Sequence, residues 1–381
     1  MLKLTHVFNV KAIGRMKLIS FARILLLFKI CSLVNVIAKQ TFNAFENNFP
    51  TIVITWAYKN ATERAWDVIY KQKRSALDAI EEGCSLCEFE VQQCKKTVGF
   101  GGSPDESGET TLDAMIMDGV SMDVGGVGGL RNVKNAISVA RKVLKHTKHS
   151  LLVGDLATQF AINMGFKNES LQTNESKQMW KQWKLNKCQS NFWKNVMPKP
   201  TKSCGPYHMI EDDKSSSNTS VKRKVGSEEN HDSIGILAID SQGRTAAGTS
   251  TNGVKYKIPG RVGDSSIAGA GAYANQEIGA AASTGDGDII MRFLPSFLAV
   301  EEMRYGASPT EAAKKVIIRI TSHYRNFFGA VIALNKKGKF GAACNGMFEF
   351  PYYVATPTLG LRSYFIRCTN YDRKISRFSE L

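Results

Sequence analysis

The chain has 381 residues, enough to bury a substantial core as one large domain or two smaller ones. Its 43% apolar and 22% charged residues are ordinary for a globular protein. A net charge of +16 suggests nucleic acid. However, six of the cations (Lys3, Lys11, Arg15, Lys17, Arg23 and Lys29) precede a predicted cleavage point, so +10 remains after it. The rest are scattered, apart from Lys222-Arg223-Lys224, and no aromatic platform is interleaved with them. A solvated surface explains them better, and no nucleic-acid partner is expected.

From Met16 the chain reads as a basic start, an apolar run and small residues at Val36 and Ala38, which is the form of a secretory signal with its cut after Ala38. Residues 1–15 are then an upstream extension of that 1–38 segment, or Met16 is the start. The competing reading is a membrane anchor. Arg23 and Lys29 interrupt the apolar stretch, so no stable span is expected. Beyond the cut, Pro50–Thr55 is an apolar, β-branched run that predicts a strand ending at Trp56. Helices are predicted at 61–71, after Asn60, and at 75–84. A glycine-rich loop spans Gly99–Gly108, strands at 112–118 and 121–124 flank a turn, and Asn132–Lys145 has a helical apolar face.

Residues 208–230 are polar, serine-rich and charged, with little to bury, and read as a flexible linker. The linker leads to strands over 233–239 and 245–250, joined by a turn at Ser241–Arg244. Gly260–Gly287 is rich in glycine, alanine and small polar residues, which allow backbone amides to approach a ligand closely. Helices at 289–305 and 309–324 precede a hairpin over 329–345. Strands and helices come in blocks, which predicts an α+β fold of helices packed on paired antiparallel sheets.

A secretory route changes how the cysteines are read. Loss of Cys31 with the signal leaves seven, Cys84, Cys87, Cys94, Cys188, Cys204, Cys344 and Cys368, enough for three bridges and one free thiol. Cys84-Ser-Leu-Cys87 is half of a zinc knuckle, but a second pair is absent and no metal is expected. Four sequons, at Asn60, Asn168, Asn174 and Asn218, agree with a lumenal chain.

His231-Asp232-Ser233 alone reads as a polar turn before a strand. Its surroundings change that reading. HDSIGILAID, AAGTSTNGVKYKIPGRVGDSSIAGAGAYA and AASTGDGDIIMRFLP, with TWAYKNAT and GFGGSPDESGETTLDAMIMDG upstream, resemble the glycosylasparaginases, a family of N-terminal-nucleophile hydrolases. The likeness runs from about Pro50 to at least Gly346. It implies a four-layer αββα sandwich and self-cleavage between Asp232 and Ser233, giving an α chain (39–232) and a β chain (233–381). Ser233 would be the nucleophile, its freed α-amine acting as base, with Thr251 hydrogen-bonding it. Arg261 and Asp264 would clamp the α-carboxylate and α-ammonium of an asparagine moiety, with Val262, Gly263, Asp286 and Gly287 around them. Thr284 and Gly285 would form the oxyanion hole, and Trp56 would shape the pocket. The resemblance also implies bridges Cys87–Cys94, Cys188–Cys204 and Cys344–Cys368, no cofactor, and a dimer of αβ heterodimers. The implied location is the lysosome, or secretion as the alternative.

Two positions depart from the family. Serine replaces threonine at 233, which removes a methyl that restricts the rotamer and costs ~0.5 kcal/mol. Asp286 replaces asparagine and brings a negative charge beside the expected oxyanion donors. A fourth family bridge is absent at both ends, where Ala313 and Ala333 stand. The implied reaction is release of aspartate from N4-(β-N-acetylglucosaminyl)-L-asparagine. The rivals are an L-asparaginase or isoaspartyl peptidase, and an uncleaved silent homologue.

Overall fold

A computed structural model describes Lys29, residues 49–90, Cys94, residues 96–210 and residues 233–369. The remainder of the predicted signal, residues 211–230 of the linker, Asn218 and Asp232 lie outside the described residues. The run before Trp56 forms β1 (Thr51–Thr55), followed by α1 (Lys59–Trp66), a wider helical turn over Asp67–Lys71, and α2 (Ala76–Phe89). Ser75 and Asp78 start α2 with a reciprocal capping box. Then come β2 (Leu112–Asp118), β3 (Val124–Leu130), α3 (Ala136–His146), β4 (Leu151–Val153), α4 (Gly154–Asn163) and α5 (Asn174–Leu185). A two-stranded ribbon pairs β5 (Val196–Met197) with β6 (His208–Met209), so the first two residues of the expected 208–230 linker are in a strand.

Past the linker lie β7 (Ile234–Ile239), β8 (Thr245–Thr251), β9 (Ala272–Asn275) and β10 (Gly279–Gly285). They are followed by α6 (Gly287–Phe293), α7 (Pro295–Arg304) and α8 (Pro309–His323). The chain continues as β11 (Gly329–Asn335), β12 (Phe340–Asn345), β13 (Glu349–Thr356) and β14 (Gly360–Arg367).

Other boundaries also differ from those read in the sequence: α1 opens at Lys59, α2 runs on to Phe89, and three further cases have a clear local cause. The strand expected over 121–124 begins at Val124, because the turn before it closes with Asp118 N donating to Asp123 O. The helix expected from Asn132 begins at Ala136, since Asn132 is left-handed (φ 56°) and cannot start one. The single helix expected over 289–305 is two, α6 and α7. Leu294 is left-handed at φ 48°, and Pro295 supplies no N–H, so the helical ladder breaks there.

Eight strands form the larger sheet, in the order β14-β13-β1-β7-β8-β2-β3-β4, antiparallel except for β3 with β4. Four form the smaller, β12-β11-β10-β9. Helices α1 to α3 cover the outer face of the large sheet and α7 and α8 that of the small one, while β9 and β10 face β7, β8 and β2 across the middle. This is the four-layer αββα sandwich. Strands covered on both sides need not alternate, which is why β1 (TIVIT) and β7 (IGILAI) are buried at every position.

One apolar cluster fills the space under α1 to α3 and between the sheets; a second lies between the small sheet and α7 and α8. Ala313 and Ala333, where the resemblance would place a fourth bridge, are both fully buried in that second cluster. The three expected disulfides are present and Cys84 is free and buried. Pairing Cys87 with Cys94 removes it from the half-knuckle.

Candidate active site

Strand register assembles the centre of the site. In β8, Ser250 pairs with Ile234 and Thr251 pairs with Asp113 of β2. One step before Ile234, the same register sets Ser233 opposite Thr251. Ser233, Thr251 and Asp113 therefore form a row across three strands, on one face of the sheet. Gly235 is on the same face, where a Cβ would come within 2.8 Å of the Ala282 methyl in the small sheet, so the row looks inward. Ser250 points the other way, donating to Glu88 Oε1 of α2 at 2.6 Å.

Ser233 is only 5% exposed, and its backbone is held at both ends. Its N donates to Thr284 Oγ1 at 3.1 Å, and its carbonyl accepts from Thr55 Oγ1 at 3.0 Å. The Thr55 hydroxyl in turn accepts from Gly235 N at 2.8 Å. Trp56 Nε1 donates to Thr284 Oγ1 at 2.9 Å, and the indole meets the Phe350 ring edge-on at 5.1 Å. Trp56 does this from a left-handed backbone (φ 61°), an unfavourable conformation for a bulky residue and one that tends to occur at functional sites. Thr251, expected to hydrogen-bond the nucleophile, has two further partners. Its single proton is on Thr97 O (3.2 Å) and its oxygen accepts from Gly253 N (3.0 Å). Toward Ser233 it can act only as an acceptor.

The loop between β8 and β9 carries the charged pair. Arg261 Nη2 meets Asp288 Oδ2 at 3.2 Å, while its buried Nε has no partner among the described residues. Asp264 is 3% exposed, and its Oδ2 is likewise unpartnered among them. Burial raises the Asp264 carboxyl to about 7, against the opposing pull of Arg261. A buried donor and a buried acceptor thus both stand open.

Glycine is required beside them. A Cβ at Gly287 would lie 2.4 Å from Asp264 Oδ1 and 3.0 Å from Arg261 Nη2, and one at Gly263 would lie 2.8 Å from Arg261 Nη1. Val262 sets its methyls against Gly128 of β3, so its side chain holds the loop to the sheet. Gly285 has a φ of 126°, and a Cβ there would strike Phe328 O. Asp286 caps α6, its carboxylate accepting from Ile289 N at 3.2 Å. The added negative charge is therefore directed at a helix start, where it is favoured.

Two ionisable residues here escaped the sequence reading. Asp113 is fully buried, with Oδ1 accepting from Gly129 N (2.7 Å) and Oδ2 from Gly263 N (2.9 Å). Lys257 is 1% exposed, and its Nζ donates to Asn252 O (3.1 Å) and Thr111 O (3.3 Å). Burial lowers the pKa of this ammonium, and the nearby Asp113 charge opposes that shift. The available signals were a lone acid inside the apolar run LDAMIM and a lysine between Gly253 and Gly260; neither distinguishes these residues from surface charges.

A sandwich of this kind, with a buried serine opening a strand after a linker, can be compared with known proteins. A family model described as asparaginase matches residues 33–360. The chain belongs to the asparaginase family. Among its relatives, the N(4)-(beta-N-acetylglucosaminyl)-L-asparaginase of Rattus norvegicus is 58% identical over 307 residues, 81% of this chain and 87% of that one. The enzyme of the same name from Mus musculus is 58% identical over 304 residues, 80% of this chain and 86% of its own. Membership of the asparaginase family agrees with the N-terminal-nucleophile type of sandwich found here, and it makes the chain an amidohydrolase.

Proposed function

We propose that the protein cuts itself between Asp232 and Ser233, and then cleaves the side-chain amide of N4-(β-N-acetylglucosaminyl)-L-asparagine to release L-aspartate. The observation that carries this reading is the pair of open buried atoms, Arg261 Nε and Asp264 Oδ2, on a loop whose Asp264–Ser266 turn packs against β8, the strand that pairs with β7 behind Ser233. Gly253 links Arg261 to Thr251, and Gly287 links Asp264 to the Thr284-Gly285 end of β10. An amino-acid zwitterion needs one fixed cation and one fixed anion, and its side-chain amide then extends toward the nucleophile.

In self-cleavage, Ser233 Oγ attacks the Asp232 carbonyl carbon, the peptide C–N bond breaks, and the Ser233 nitrogen takes the proton. Water then hydrolyses the resulting ester, leaving Asp232 as a carboxylate and freeing the Ser233 hydroxyl. An α-amine titrates at about 7.7–8.0, so it accepts the Oγ proton without a histidine. During turnover, Oγ attacks the substrate's side-chain carbonyl carbon. Donors at Thr284 and Gly285 stabilise the oxyanion, and the amine returns its proton to the departing nitrogen. Water hydrolyses the β-aspartyl ester and releases aspartate. Signal removal, glycosylation at the exposed Asn168 and Asn174, pairing of αβ heterodimers and action in the lysosome complete the proposal.

The test is intact-mass analysis of the deglycosylated, reduced protein beside Ser233→Ala, followed by assay on glycosylasparagine and on free asparagine. Two fragments meeting at Asp232/Ser233, absent from the variant, with preferred turnover of glycosylasparagine, are expected. One intact chain in both samples overturns the proposal and favours a silent homologue.

A further inference from the structure

We propose that Asp113 is a positioning residue that latches the Arg261–Asp264 loop in its substrate-binding geometry, with Lys257 as the buried cation set against it. This rests on the zwitterion clamp described above. Asp113 lies at the end of the row that contains Ser233 and Thr251, so one sheet face fixes both the nucleophile and the loop that would orient its substrate. Its two oxygens divide the work. Oδ1 holds Gly129 at the end of β3, and Oδ2 holds Gly263, which lies directly between the clamp residues Arg261 and Asp264. A fully buried carboxylate accepting two backbone N–H groups makes a strong, directional, charge-assisted contact.

Lys257 adds an electrostatic reason for a carboxylate at 113. The Cβ position of Gly253 lies 2.9 Å from Lys257 Nζ and 3.2 Å from Arg261 Nη1, so two cations converge there. Among the described residues the Lys257 ammonium bonds to two carbonyls, Thr111 O and Asn252 O, and Asp113 is the foremost of the negative charges around it, ahead of Asp105 and Glu109. An amide at 113 would leave one of the two N–H groups facing an NH2 and would remove the foremost counter-charge of Lys257, leaving it Asp105 and Glu109, while Arg261 keeps Asp288. The Gly263 end is the freer of the two, since it belongs to a loop while Gly129 belongs to the sheet.

The experiment is Asp113→Asn beside the wild-type protein, read by L-aspartate binding in calorimetry, by KM and kcat, and by self-cleavage and thermal unfolding. The expected result is an aspartate Kd and a KM each raised roughly 10- to 100-fold, as for a buried polar group left unpaired. Self-cleavage, which does not use the clamp, proceeds as in wild type, and kcat stays within about threefold. Unchanged aspartate affinity overturns the inference. So does loss of self-cleavage with collapse of the unfolding transition, since Asp113 would then be holding the fold and not the loop. Should the wild type bind aspartate but fail to cleave itself or turn over, the functional proposal falls, and weaker aspartate binding by Asp113→Asn still upholds the latch.

Discussion

Ser233 lacks the methyl that the family resemblance leads one to expect, yet its backbone is anchored on both sides, at N by Thr284 and at O by Thr55. With the backbone fixed, the methyl's remaining task is to select one of three χ1 wells, worth ~0.5 kcal/mol. Ser233→Thr is therefore expected to speed self-cleavage about twofold and never more than tenfold, as measured by the rate of fragment appearance. A larger gain would mean that packing around the missing methyl governs the site. Asp286 is a similar case. Its carboxylate caps Ile289 N, a task asparagine also performs, so Asp286→Asn should lose only the charge–dipole gain of ~0.3–1 kcal/mol. Turnover should stay within about threefold, and a tenfold rise would show that the carboxylate had been opposing the oxyanion all along.

At the level of elements, what was legible in the sequence is what local pattern dictates. The apolar runs gave β1, β7 and β8, proline and serine marked the start of α8 at Ser308-Pro309, and the hairpin of β11 and β12 appeared where expected. The break at Leu294-Pro295 was also written in the sequence, in the proline, but a continuous apolar face masked it. Cross-strand register leaves no local trace. Nothing near Asp113 in the chain indicates that it stands in line with Ser233, 120 positions later, or that its carboxylate meets Gly263. Likewise Thr55 reads as one more β-branched strand residue until Gly235 and Ser233 are seen on its hydroxyl. The candidate clamp and nucleophile were reached through family likeness, whereas their supports depend on tertiary pairing.

Across the whole molecule, two buried carboxyls lie on opposite sides of the large sheet. Under α2, burial pushes Glu88 up to about 8, against the hydrogen bonds from Ser250 and Ile137 N, and its Oε2 has no partner among the described residues. On the inner side, Asp264 rises to about 7. In the unfolded chain both would titrate near the ordinary carboxyl range, at about 4. Between those values the folded protein binds more protons than the unfolded one, so these two groups make stability fall as pH rises through roughly 4.5 to 8. Glu82 acts oppositely. Arg64 and Arg74 outweigh its burial and hold it below its usual value, so its contribution is lost only at the acid end, beneath this window. The unfolding midpoint is therefore expected to be higher at pH 5.5 than at pH 8, by about 3 °C or more, in calorimetric scans of the full protein. Glu88→Gln should shrink that difference, because the amide keeps an acceptor for Ser250 and Ile137 N but cannot ionise. Equal midpoints at the two pH values, or an unchanged difference in Glu88→Gln, would remove the buried carboxyls as the cause.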